Sequence, residues 1–131
     1  MVRAVYLDAS ALVKLAVPEA ESAAMLAFVE RNPDQVSSVI ATIEVSRALV
    51  RLKIELGDRE AALLAGVGSI RLDPAIAARA AGVGPPGLRT LDAIHLASAM
   101  ELGSDLAALV TYDLRMVDAA TALGLRVVSP T

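Results

Sequence analysis

Four carboxylates stand where this sequence could do chemistry: Asp8, Glu44, Asp92 and Asp113. Asp8 closes the apolar run Val5-Tyr6-Leu7, and Asp113 closes Leu109-Val110-Thr111-Tyr112. Glu44 and Asp92 open amphipathic stretches that begin at Thr42 and Thr90. In a parallel α/β sheet, strand C-terminal ends and the helix N-termini after them share one edge, and ligands bind there. Four acids on that edge repel one another unless a cation stands among them. Mg²⁺ and Mn²⁺ are the ions to expect, because hard cations prefer carboxylate oxygen and water.

Each acid also has an ordinary structural use. Asp8 and Asp113 suit helix N-caps, and Asp92 suits the positive end of a helix dipole. Glu44 lies two residues after Thr42, one short of capping-box spacing. What the caps alone do not explain is why all four acids fall on one sheet edge. His95 shares a helix face with Asp92, three residues on. Its neighbours Leu91, Ile94 and Leu96 make it read as a buried, hydrogen-bonded core residue. One histidine and no cysteine leave no three-ligand zinc site. The run Gly82 to Gly87 lacks the Gly-Lys-Ser/Thr of a phosphate loop and reads as a mobile loop. Asp118 reads as a solvated helix acid at the rim.

Composition narrows the field. At 131 residues the chain reads as one domain, 1–131, with enough length for a real core. The absence of cysteine rules out disulfides and a cysteine nucleophile, and fits a reducing cytoplasm. The net charge of −3 gives no global field for nucleic acid, so such binding needs a local patch. Ten arginines against two lysines suit bidentate contacts to phosphate. Apolar residues make up 56%, yet no uncharged run approaches the roughly 20 residues of a membrane span. Asp8 and Lys14 interrupt the stretch from Val2 to Val17, which argues against a leader. A surplus of apolar side chains without a membrane span points to a partner interface.

The elements that must position the acids alternate. Strands are expected at 3–7, 35–39, 69–72, 107–111 and 126–128. Helices are expected at 10–17 and 19–30, broken at Pro18, then at 42–56 with Gly57 as its stop. Further helices follow at 58–65 with Asp58 as cap, 74–81 with proline at its first position, 90–102, and 114–123. Such alternation means an α/β fold, a parallel sheet covered by helices on both faces.

Four segments resemble the PIN-domain nucleases, and more closely the VapC-type toxins of bacterial toxin–antitoxin systems. They are Tyr6-Leu7-Asp8-Ala9-Ser10-Ala11-Leu12, the Glu44 in Thr-Ile-Glu-Val-Ser-Arg-Ala, the stretch Leu88 to Ala99 around Asp92, and Thr111-Tyr112-Asp113-Leu114-Arg115. The resemblance spans the whole chain in order. It implies a five-stranded parallel sheet, an acidic Mg²⁺ site (Mn²⁺ as the alternative ion) and cleavage of RNA. It also implies a homodimer and an antitoxin protein as inhibitor. Asp8 and Asp92 would be the direct metal ligands, because the family's strongest motifs surround them. Glu44 and Asp113 would orient water or complete a second site. Ser10 and Thr111 would hold these acids, and Arg89 and Arg115 would contact RNA phosphates. Near Asp113 the pattern departs: Arg115 and Met116 follow where some relatives carry another acid, which leaves a part for Asp118 open.

Two other readings compete. One is a PIN-fold RNA-processing nuclease outside any toxin–antitoxin pair. The other is a phosphoacceptor signalling domain with an acidic Mg²⁺ pocket. That domain would need a cluster of acids after the first strand and a lysine after the last. Here Asp8 stands alone, and no lysine follows Lys53.

Overall fold

The computed structural model describes residues 3–131, so Met1 and Val2 of the expected 1–131 domain lie outside the described residues. The chain runs β1 (Ala4–Leu7), α1 (Ala9–Ala16), α2 (Ser22–Arg31), β2 (Gln35–Ser38), α3 (Ile40–Leu52), α4 (Asp58–Ala65), β3 (Gly68–Ile70) and α5 (Pro74–Ala80). It continues with α6 (Thr90–Glu101), a 3-10 turn (Gly103–Asp105), β4 (Leu106–Val110), α7 (Leu114–Ala122) and β5 (Val127–Val128). The five strands form one parallel sheet in the order β3-β2-β1-β4-β5.

That order decides between two of the readings above. A receiver-type signalling fold has the order 2-1-3-4-5, with its switch point between its first and third strands. Here the order reverses between β1 and β4, which pair directly with Leu7 opposite Val110. The phosphoacceptor reading falls on topology alone.

Alternation along β1 builds two cores. Val5 and Leu7 point to one face and pack with Leu12 of α1, Met25 of α2, and Val45 and Leu49 of α3. Tyr6 points to the other, with Leu96 and Ala99 of α6 and Met116, Ala119 and Ala120 of α7. The period of two along a strand makes β1 the shared floor of both layers. Its last residue, Leu7, therefore delivers Asp8 to the middle of the edge, between the two helical layers.

Several helix ends differ from the sequence expectation. α3 starts at Ile40 and stops at Leu52, four residues short of Leu56. Lys53 turns left-handed, with φ 57°, and Ile54 N–H returns to Leu49 O at 3.0 Å. This is a Schellman-type stop, and its apolar follower Ile54 packs on the core. Gly57, also left-handed, sits instead at the N-cap position of α4, so Asp58 is that helix's first residue. α6 begins at Thr90 as expected, with Arg89 at its N-cap position. The loop before it needs Gly84: φ is +77°, and a Cβ there would meet Leu88 Cδ2 at 2.8 Å.

Candidate active site

Asp8 is 3% exposed and caps α1. Its Oδ1 accepts from the Ser10 hydroxyl at 2.6 Å and from Ala11 N–H at 3.0 Å. Its Oδ2 accepts from the Thr111 hydroxyl at 2.5 Å. The same two hydroxyl oxygens accept backbone hydrogens from the loop after β4: Tyr112 N–H reaches Ser10 Oγ at 2.9 Å, and Asp113 N–H reaches Thr111 Oγ1 at 3.1 Å. The turns after β1 and β4 are thus stitched together through Asp8. Burial pushes its carboxyl above the usual range, while Ser10 and Thr111 pull it back.

Asp113 caps α7, with Oδ1 accepting from Arg115 N–H at 2.9 Å. Asp92 is the third residue of α6 and is half-buried. Its carboxyl is held above the usual range first by burial and then by the negative charges of Asp113 and Asp8; Glu44 adds to this and His95 opposes it. Glu44 lies in the second turn of α3 rather than the first, on the other layer of the fold. It reaches across the edge, where its Oε1 lies 2.5 Å from His95 Nε2. All four acids therefore belong to one electrostatic group, and three of them also sit at helix N-termini. Asp8 and Asp113 are both helix caps and members of this acidic group.

The supporting residues divide. Ser10 and Thr111 bind Asp8 directly. Arg89 and Arg115 are exposed at the starts of α6 and α7, close in the chain to Asp92 and Asp113 respectively. Asp118 is exposed on α7. Among the described residues, no three acids or histidines draw close enough to form a ready-made metal cage. His95 is 1% exposed and hydrogen-bonded, as its apolar neighbours imply. Sequence reasoning left it in the core, however, and missed that its ring joins Tyr6 to Glu44. The available signal was its three-residue step from Asp92.

A groove of 570 Å³ opens beside the acids, between α1 and α3. Its lining includes Ser10, Val13, Ile43, Glu44, Leu91 and Tyr112, together with the basic residues Lys14, Arg47 and Arg51. Ile43 is 65% exposed although apolar. Of the large apolar side chains on α1, α2 and α3, Leu12, Met25 and Leu49 are buried, Val13, Leu15 and Phe28 are half-buried, and Leu26 and Leu52 are exposed. Among the described residues, no helix is long and apolar enough to cross a membrane.

Residues 5–122 match the family model described as PIN domain. The chain is 46% identical over 128 residues to Ribonuclease VapC46 of Mycobacterium tuberculosis, covering 98% of each. In solved structures it superposes on a toxin–antitoxin complex from Klebsiella pneumoniae with TM-score 0.71, at 23% identity over 97% of this chain and 98% of that one. It superposes on Mycobacterium tuberculosis VapC20, titled a sarcin-ricin loop cleaving toxin, with TM-score 0.74, at 16% identity over 96% and 99%. The last two likenesses bear on the fold and the first on descent; on these grounds the chain belongs to the PIN-domain family, in its VapC group.

Proposed function

We propose that this chain is a toxin that cleaves RNA phosphodiester bonds, using Mg²⁺ or Mn²⁺ held at the acid edge. The observation that carries the reading is the electrostatic grouping of Asp92 with Asp113, Asp8 and Glu44 along the edge where β1 and β4 pair, in a chain of the VapC group. The donor set fits such an ion. Carboxylate oxygen is the hard ligand it prefers, and Mg²⁺ keeps most of its waters, so one or two direct acids suffice without a closed cage. Asp8 and Asp92 would hold it. Asp8 Oδ2 accepts a single hydrogen bond and retains acceptor capacity. When bound, the ion lowers the pKa of water and neutralises charge developing on the phosphate.

The chain's own residues do the rest. Ser10 and Thr111 lock the Asp8 carboxylate in one orientation. Glu44 and Asp113 accept hydrogen bonds from water at the edge and so direct it. Arg89 and Arg115 present guanidinium forks to phosphates of a bound strand. RNA fits this arrangement better than a small substrate because the site is an open edge rather than an enclosed pocket.

The groove between α1 and α3 suits an amphipathic antitoxin helix, whose apolar side would cover Ile43 and Leu91. A basic side chain from that segment would reach the acids and take the cation's electrostatic place. Apolar residues elsewhere on the surface, such as Leu72 and Leu123, support a homodimer. A chain without cysteine fits a reducing cytoplasm as its compartment. Expression of the chain alone tests this role. Growth of the host should stop, and Asp92→Asn should restore it at equal protein level. Normal growth with active wild-type protein present would overturn the toxin assignment.

A further inference from the structure

Tyr6 poses a question that packing does not answer. Its ring is fully buried on β1 among Leu96, Leu109 and Met116, where phenylalanine would fill the same space. A buried hydroxyl is costly unless it finds a partner. That partner is His95: the phenol oxygen lies 2.6 Å from Nδ1, and the two rings meet edge to face at 5.7 Å. The other ring nitrogen, Nε2, lies 2.5 Å from Glu44 Oε1. The three residues form a line from the sheet core to the acid edge.

The hydrogen positions follow from what each group can do. An ionised carboxylate only accepts, so Nε2 carries the hydrogen facing Glu44. In the neutral ring Nδ1 is then bare and accepts from the phenol. A second hydrogen on Nδ1 would turn the phenol hydrogen away to another acceptor. A phenol is protonated at neutral pH, so the hydrogen is there to give.

We propose that Tyr6 and His95 are positioning residues: the phenol fixes His95 as the Nε2–H tautomer, and that N–H holds the Glu44 carboxylate at the acid edge. The proposal rests on the nuclease reading for its effect on rate, but not for its geometry. Glu44 projects from α3, which packs on the opposite face of the sheet from α6. Its flexible side chain would otherwise sample several rotamers. The His95 bond ties it to the layer that carries Asp92. Partners of this kind, which orient a site's acids without touching substrate, are worth about ten- to a hundredfold in activity.

The chain has a single histidine, so its ring can be observed without assignment. Long-range ¹H–¹⁵N spectra of the imidazole should be recorded at neutral pH for the wild type, Tyr6→Phe and Glu44→Gln. The expected wild-type pattern is a hydrogen on Nε2 and a bare, hydrogen-bonded Nδ1. Tyr6→Phe should move the Nδ1 signal towards that of a free ring, and Glu44→Gln should move the Nε2 signal. In parallel, RNA hydrolysis should lose kcat by about three- to tenfold in Tyr6→Phe and about ten- to a hundredfold in His95→Leu, with KM unchanged. His95→Gln, which keeps an N–H near the place of Nε2, should recover most of that loss. A hydrogen on Nδ1 in the wild type, or full kcat in a folded His95→Leu protein, would overturn the proposal. If His95→Leu fails to fold, the spectra and Tyr6→Phe decide. A wild-type chain that cleaves no RNA would overturn the nuclease reading instead, while the ring spectrum still decides the relay.

Discussion

Asp92 is the residue on which function and stability separate most cleanly. It sits in the first turn of α6, and among the described residues no hydrogen bond fixes its carboxylate, so Asp92→Asn removes charge and little else. RNA hydrolysis should fall by at least about a hundredfold, the usual cost of losing a charge that stabilises the transition state. The fold should gain stability in metal-free buffer, and the sign can be followed with pH. The folded carboxyl has a raised pKa, so across the window from the ordinary carboxylate value to that raised value the folded state binds more protons than the unfolded one. Wild-type stability is therefore lost as pH rises through the window. Melting curves of wild type and Asp92→Asn should coincide below the ordinary carboxylate range and diverge above it, with the variant melting higher. A constant gap at all pH values would mean that charge repulsion is not the cause. Asp8→Asn is a less clean experiment. Both Asp8 oxygens accept from hydroxyl or amide donors, and an asparagine nitrogen would face one of them donor to donor.

At the scale of elements, the strands and helices were legible because their signals are local. Apolar runs bounded by aspartate and glycine place the strands, and helical spacing places α1 to α7. The acids were legible for the same reason, since three of them mark helix starts. What the sequence hid were stops and contacts made in three dimensions. Local preference alone points to Gly57 as the end of α3, since glycine is the residue type that favours a left-handed turn. Lys53 takes that conformation instead, because Ile54 is drawn onto the core and the Schellman bond closes there. The link from Tyr6 to His95 to Glu44 was hidden similarly, as its members lie on β1, α6 and α3. The misplaced stop gives a prediction of its own. A left-handed non-glycine residue costs about 1–2 kcal/mol, and glycine's greater unfolded freedom offsets part of that. Lys53→Gly should therefore stabilise the protein by about 0.5 kcal/mol, read as a higher urea midpoint with unchanged slope. A loss of stability would show that the lysine side chain contributes something the backbone argument omits.

The whole molecule brings together a net negative charge, an acidic edge and exposed apolar side chains. Leu114, 77% exposed beside Asp113, and Ile43, beside Glu44, border the acids rather than lying at random. An acidic centre ringed by apolar and arginine side chains needs a cation before it can receive a polyanion. That requirement reconciles RNA as substrate with a net charge of −3. Surplus apolar surface should also pair two copies, so sedimentation should give a dimer; a monomer at high concentration would contradict it. On the function proposed above, the acid edge works through a divalent ion. The direct test is RNA hydrolysis by the purified chain in Mg²⁺, in Mn²⁺ and in excess EDTA, with Asp92→Asn run alongside. Cleavage is expected with either ion, none in EDTA, recovery when the ion is restored, and little in the variant throughout. Undiminished cleavage in EDTA would contradict a divalent-ion mechanism.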